Sequence, residues 1–295
     1  MPSQRSLAAD SQRSVDLGVL EDALRGMPRV TSWRSYDHIA RRYDDVWGAR
    51  FEAVARHIWT MIPPAAGAIV LDIGTGSGIV PRSLGARVGQ LAGVIGCDRS
   101  IGMLSLARET MPKLPVLAAE ATALPFRHAI FDVVAASFVL SHLLNYRAAL
   151  LEAQRVLRPS GVLVVTSWSA NTDPYSQAWS ELLAEAVSKD RLQEAVARVA
   201  PSEGYFENVE NVKTALTAAG FVRVEVHRIA LECSLSIDRY IADRELSSGG
   251  RFAQDALGPD KWGRFAAKAR EKLHRSFGSH FDYSRGVLIG VGYRG

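Results

Sequence analysis

The sequence predicts an α/β fold: a mainly parallel seven-stranded sheet with helices on both faces. Three observations carry this. Between Ala68 and Ser167 short apolar runs alternate with helical stretches, the pattern of βαβ units. The first of these runs ends in three glycines spaced two apart, Gly74, Gly76 and Gly78. The 295 residues are 47% hydrophobic and 22% charged, enough apolar surface for a packed core and too much for a disordered chain.

The first 34 residues are rich in Ser, Arg and Ala and read as a flexible arm, with the domain proper at 35–295. From Tyr36, the positions Ile39, Ala40, Tyr43, Val46 and Trp47 recur at helical spacing, with Asp37, His38, Arg41, Arg42 and Asp44 on the other, polar side. A second helical run, Phe51 to Met61, stops at Pro63–Pro64. Strands follow near 68–73, 92–97, 115–119, 130–136 and 162–167, the last entered through the turn Leu157-Arg158-Pro159-Ser160-Gly161. A mostly helical insertion at about 170–207 precedes a helix ending at Gly220 and a strand from Phe221 to Ala230. A second insertion at about 234–282 precedes the last strand, Gly286 to Val291. Without repeats or low-complexity blocks, both insertions read as lids on one core.

Charge and cysteine usage remove several classes. The net charge is +4, but the 35 basic residues are scattered and only six are lysines, so no clustered nucleic-acid footprint is formed. Two cysteines, Cys97 and Cys233, cannot make a disulfide framework, and no Cys/His grouping has metal-ligand spacing, so no metal is expected. No apolar run approaches a membrane span, and the polar start lacks a signal peptide's apolar stretch. A cytoplasmic protein, without nucleic-acid or membrane partners, is expected.

In Val70-Leu71-Asp72-Ile73-Gly74-Thr75-Gly76-Ser77-Gly78 a strand delivers a carboxylate and then a glycine turn. Glycines let the backbone bend sharply and approach a ligand closely. A nicotinamide fingerprint would read G-x-G-x-x-G. Here the third glycine comes one residue early, and Asp72 suits a cationic group, such as a methionine amino group, better than a phosphate.

Four further segments follow in order. Asp98, in Ile95-Gly96-Cys97-Asp98-Arg99-Ser100, ends the second strand about 20 residues past the loop, and Ser100, Met103 and Leu104 complete a D-x-S-x-x-M-L run. Then come Ala119-Glu120-Ala121 through Leu124-Pro125-Phe126, Phe131-Asp132-Val133-Val134, and Leu157 to Gly161. Together these resemble the class I, Rossmann-like methyltransferases of the small-molecule type, which include the ubiquinone/menaquinone C-methyltransferases and natural-product O-methyltransferases. The resemblance covers about 36–168 well and the remainder only by element order.

The resemblance implies S-adenosylmethionine as methyl donor, with S-adenosylhomocysteine as product, and an antiparallel last strand. It implies a donor site made of Asp72, Gly74, Thr75, Gly76, Gly78, Asp98 for the ribose with Arg99 beside it, Met103, Glu120 and Ala121 for the adenine, and Ser137. Glu120 stands where the family has Asp, Ala119 where it has Gly, and Ser160 departs from L-R-P-G-G. Tyr36 and Tyr43 resemble the tyrosines of a Y-D-x-x-A-x-x-Y-D opening that closes over the donor. Asp132 fits a structural role in its strand, and His38 a solvated one.

For catalysis, Ser137 to His142 follow the fourth strand and border the donor's methyl group, because ligands of open parallel sheets sit beyond the strands' carboxyl ends. Related O-methyltransferases carry a histidine base in this segment, and His142 matches its place. Asp173, Glu203 and Glu207 in the first insertion are the next candidates. Aromatic residues in and beside the insertions, among them Trp168, Trp179, Tyr205, Tyr240 and Trp262, favour an apolar or ring-containing small acceptor of secondary metabolism. A monomer or homodimer is expected. Competing readings are a retained donor pocket serving a non-methylating reaction, a non-catalytic binding protein and, against the scattered charge, an RNA methyltransferase.

Overall fold

A computed structural model of the chain describes residues 32–170 and 173–295. Nearly all of the expected N-terminal arm lies outside the described residues.

The first element is one continuous helix, α1 (Ala40–Met61), and not two. Its buried residues Val46, Trp47, Val54, Ala55, Ile58 and Trp59 keep one face apolar throughout. A single Gly48, which costs roughly 1 kcal/mol in a helix, does not break it. The helix stops at Ile62, ahead of Pro63, as the residue before a proline avoids the helical region.

The seven strands are β1 (Ile69–Ile73), β2 (Gly93–Asp98), β3 (Val116–Ala118), β4 (Phe131–Ser137), β5 (Leu157–Trp168), β6 (Phe221–Ser236) and β7 (His280–Arg294). They lie in the order β3-β2-β1-β4-β5-β7-β6, parallel from β3 to β5, with β7 antiparallel to both its neighbours. The expected mainly parallel sheet and antiparallel last strand are both present.

Period-two alternation splits the strand residues between two buried layers. Val70, Val94, Val116, Val133 and Val164 pack with α1 and with Leu104 and Ala107 of α3 (Ile101–Thr110). Leu71, Ile95, Leu117, Val134 and Leu163 pack with α4 (Tyr146–Val156) and α8 (Val209–Ala218) on the other side. Between β1 and β3 the chain also forms the short α2 (Ile79–Arg82). Order reverses between β1 and β4, which opens a crevice at their carboxyl ends.

The first insertion forms α5 (Pro174–Ala186), α6 (Lys189–Val199) and the single turn α7 (Glu203–Phe206); the second forms α9 (Ile237–Leu246) and α10 (Ser248–Phe277), which kinks at Gly258–Pro259. The last two strands run past their expected bounds as a ribbon, Leu231–Ser236 against His280–Arg285. Cys233, Phe281 and Tyr283 on it point into a second core with Trp179, Ile237, Tyr240, Trp262 and Phe265. That alternation explains why what reads as the ends of an insertion is strand.

Candidate active site

At the end of β1 the backbone turns through Gly74, Gly76 and Gly78, all with positive φ (67°, 55° and 82°). A Cβ on Gly74 would stand 2.3 Å from Val139 Cγ2, so this turn needs glycine for space as well as for conformation. The Thr75 N–H donates to the Cys97 carbonyl (2.9 Å), which fastens the turn to β2. Asp98 completes the cradle: its Oδ2 accepts from the Gly76 N–H (2.9 Å) and its Oδ1 from the Ser100 N–H (2.8 Å). Burial raises the Asp98 pKa, and those two bonds oppose the rise.

Asp72 is 1% exposed and neither carboxylate oxygen has a hydrogen bond of normal geometry. Burial pushes its pKa up to about 8; the nearby Thr75 hydroxyl opposes this and the charge of Asp98 adds to it. A buried, partnerless carboxyl is costly to ionise, and an adjacent cation would hold it ionised. The glycine cradle and this carboxyl together fit a donor with an amino-acid head and a ribose.

The N-terminal segment closes this cradle. Asp37 Oδ1 accepts from the Ser100 hydroxyl (2.7 Å) and the Gly102 N–H (3.0 Å). Gly102 lies so close to this segment that a Cβ would stand 2.1 Å from the Asp37 carbonyl oxygen. Asp44 accepts from the Ser77 hydroxyl, with Arg82 3.7 Å away. Both aspartates read from sequence as members of the outward polar face of the helix; they turn inward because unpaired donors on the glycine turn and the α3 N-terminus draw them. His38 is exposed, as expected.

Tyr36 and Tyr43 meet edge to face at 5.2 Å, and Tyr36 also meets the His142 ring at 6.1 Å. Tyr43 stacks on Trp47 and Phe51, and the aromatic wall continues through Phe138 (5.0 Å from Phe51) to Trp168 (4.4 Å from Phe138). Phe138 holds a positive φ of 56°, a strained conformation just past β4. Arg285 lies over Trp168 at 3.9 Å, and Arg251 of α10 over Tyr36 at 4.4 Å.

His142 ends a single 3-10 turn, Leu140–His142. Its Nδ1 lies 3.0 Å from the Val199 carbonyl of α6. A carbonyl only accepts, so Nδ1 carries the hydrogen and Nε2 keeps a free lone pair. Burial lowers the His142 pKa; the bond to the Val199 carbonyl opposes this, and the charges of Arg251 and Arg99 add to it.

Other expected site residues are placed as follows. Met103 is buried beneath the cradle, its N–H capped by the Ser100 hydroxyl. The Ser137 and Thr166 hydroxyls share a 2.9 Å hydrogen bond at the ends of β4 and β5. Ala121 is buried past β3, whereas the side chains of Glu120 and Arg99 are exposed. Asp132 lies at the opposite end of the sheet, accepting from the Ile69 N–H (2.7 Å) and pairing with Arg158. Asp173 caps α5 through the Ser176 N–H and hydroxyl. Glu203 and Glu207 are part-buried with pKa values raised by burial; Arg285 and Arg244 oppose the rise at Glu203. Sequence reading missed Asp37, Asp44, Arg251 and Arg285; the Y-D pairing flagged the first two, and nothing local marks the arginines.

Comparison with known proteins bears on this geometry. Residues 71–165 match the family described as a methyltransferase domain. The demethylmenaquinone methyltransferase of Mycobacterium sp. (strain KMS) is 32% identical over 193 residues, 64% of this chain and 80% of that protein. The chain belongs to the class I S-adenosylmethionine-dependent methyltransferases. Solved structures share its fold: phosphoethanolamine N-methyltransferase 2 of Haemonchus contortus in complex with S-adenosyl-L-methionine (18% identity, TM-score 0.55, 90% of this chain and 60% of that one) and the [4+2]-cyclase SpnF (17%, 0.55, 91% and 98%). As a member of that family, this methyltransferase uses S-adenosylmethionine and acts on a small molecule. Among the described residues no helix is long and apolar enough to cross a membrane, and no group of three His, Cys, Asp or Glu could hold a metal ion.

Proposed function

We propose that the enzyme methylates a ring-containing small molecule at an oxygen, nitrogen or carbon, with His142 as base, in a site closed by lids at about 170–207 and 234–282 of one domain spanning 35–295. The observation that carries this is an unprotonated His142 Nε2 on a ring that meets Tyr36, from which an aromatic wall runs through Tyr43 to Trp47, Phe51, Phe138 and Trp168. The mycobacterial relative is named for a quinone-type acceptor, which agrees with a flat, ring-containing substrate. Secondary metabolism and a cytoplasmic, monomeric or homodimeric enzyme complete this reading.

Bound S-adenosylmethionine supplies an electrophilic methyl group. Asp72 meets its amino group, Asp98 its ribose hydroxyls and Ala121 with Glu120 its adenine, while Gly74 to Gly78 admit it closely. Tyr36 and Tyr43 close over it, and Arg99, Met103 and Ser137 border it. The lids exclude water and hold the acceptor in line, and His142 Nε2 receives the proton that the acceptor loses.

Calorimetry tests the donor assignment. S-adenosylhomocysteine is expected to bind and NAD is not, and Asp98→Ala is expected to weaken binding by about 1.5–3 kcal/mol, the range for hydrogen bonds to a charged group. NAD binding without a response to S-adenosylhomocysteine would overturn it. Demethylated donor among the products separates methyl transfer from other chemistry on the same fold.

A further inference from the structure

Arg251 sits in the first turn of α10 and is only 4% exposed. Its Nη1 donates to the Ser35 carbonyl (3.1 Å), and its plane lies over the Tyr36 ring. Its Nε and Nη2 are buried and make no hydrogen bond. Among the described residues no carboxylate pairs with it, whereas the half-buried Arg50 and Arg244 share Asp243. A buried guanidinium without a counter-ion is expensive, and such groups are almost always matched. Nε and Nη2 share one edge of the guanidinium, and that edge presents two parallel N–H groups at the spacing of a carboxylate's two oxygens.

We propose that the methyl acceptor carries a carboxylate and that the Nε–Nη2 edge of Arg251 receives it. This rests on the methyltransferase reading above and adds the acceptor's charge to it. Two carboxylates could in principle reach the lid, that of the acceptor and that of the donor's methionine. Position favours the first. Arg251 lies over the Tyr36 ring at 4.4 Å, that ring meets His142 at 6.1 Å, and the charge of Arg251 is felt at both and at Tyr43. At Asp72 the influences are burial, Thr75 and Asp98. The donor's carboxylate is bonded to the same carbon as the amino group that Asp72 meets, so its receptor belongs near Asp72; Arg251 instead stands on the His142 side, where the acceptor must lie. Two acids are also felt at Tyr36: Glu203, which Arg285 and Arg244 offset, and Asp98, whose oxygens already accept from the Gly76 and Ser100 N–H groups.

The test is calorimetry on the full chain saturated with S-adenosylhomocysteine, titrated with benzoate, phenylacetate and 2-naphthoate and with their primary amides. At least one acid is expected to bind tenfold or more tighter than its amide, a difference of about 1.4 kcal/mol. Arg251→Gln is expected to abolish that preference and Arg251→Lys, which keeps the charge but not the two-pronged edge, to reduce it. The acid-over-amide preference of the unaltered enzyme needs no variant, so a variant that folds poorly does not rescue the idea. Equal binding of every acid and amide overturns it, as does a preference that survives intact in Arg251→Lys or Arg251→Gln. A second arm compares S-adenosylhomocysteine with its decarboxylated analogue, 5′-(3-aminopropylthio)adenosine. If Arg251→Gln weakens the former tenfold and not the latter, the carboxylate is the donor's and the proposal fails. Failure of the methyltransferase reading appears separately, as no S-adenosylhomocysteine binding by the unaltered chain.

Discussion

The proposed donor half of the site is made of backbone: three positive-φ glycines, N–H groups of Gly76 and Ser100 on Asp98, and one partnerless carboxyl at the end of β1. Across from it stand side chains on long stems: Arg251 over Tyr36, Arg285 over Trp168, and Arg50 and Arg244 on either side of the buried Asp243. Backbone recognition constrains sequence locally, since each turn position admits few residue types. Side-chain recognition constrains only the final arrangement in space. The first half serves a ligand common to a whole family, and the second is free to differ with each acceptor.

The largest expected effect lies where the halves meet. His142→Ala should lower kcat by about 10²–10⁴, the usual contribution of a general base, or roughly 3–5 kcal/mol, while S-adenosylhomocysteine affinity stays nearly constant. A base must be unprotonated to act. Because burial lowers the His142 pKa, the acid limb of kcat/KM should fall below the ordinary histidine value of 6.5. A variant that keeps its kcat, or an unchanged acid limb after substitution, would remove His142 from the chemistry and leave Glu203 and Glu207 as candidates.

How much of each half was legible in the sequence follows from the same contrast. Asp72, the three glycines and Asp98 were readable because strand, turn and helix chemistry fixes their order and spacing, and the seven strands because alternation and turn signals mark them. Asp37 and Asp44 were placed on the wrong side of the first helix, since periodicity ranks faces by polarity and cannot register a polar groove waiting on the neighbouring element. The ribbon of β6 and β7 was cut short because its apolar residues face a second core, not the sheet's. Arg251 and Arg285, 34 positions apart in a chain with 35 basic residues, carry no local signature; only tertiary packing selects them.

A second way to sharpen the comparison is to alter the partnerless carboxyl in the donor half. The Asp72 pKa rises from the ordinary 3.8 to about 8 in the folded chain. The folded state thus holds this proton more tightly than the unfolded one, so stability of the donor-free protein is greatest below pH 4 as far as this group is concerned and falls as pH rises from about 4 to about 8. Asp72→Asn should remove that slope and raise stability at pH 8 by about 2–4 kcal/mol after relaxation of the site. The same change should weaken S-adenosylhomocysteine binding, because the amide cannot neutralise an ammonium group. Thermal unfolding across pH, with calorimetry at pH 8, checks both. A variant no more stable at pH 8 than the parent would show that water or local opening already relieves the carboxyl.

The smallest expected effect isolates backbone conformation in the sheet half. Ser160, near the start of β5, has φ 63° and is exposed, at the place where the L-R-P-G-G pattern that this segment resembles has glycine. A left-handed conformation costs a residue with a side chain about 1–2 kcal/mol, and glycine gives back part of that gain through its more flexible unfolded chain. Ser160→Gly should therefore stabilise the protein by about 0.5–1 kcal/mol, a rise of roughly 1–4 °C in Tm for a chain of this size. Ser160→Val, with a branched Cβ, should move Tm the other way. The neighbouring Gly161 offers no such latitude, since a Cβ there would stand 2.9 Å from the Arg158 carbonyl oxygen. Neither substitution at 160 touches the donor cradle or the lid, so kcat should not change. If glycine and valine at 160 give the same Tm, the positive φ stores no strain and the segment relaxes around whatever side chain it carries. The rule that backbone geometry dictates sequence in this half would then hold at the glycine cradle and not along the strands that support it.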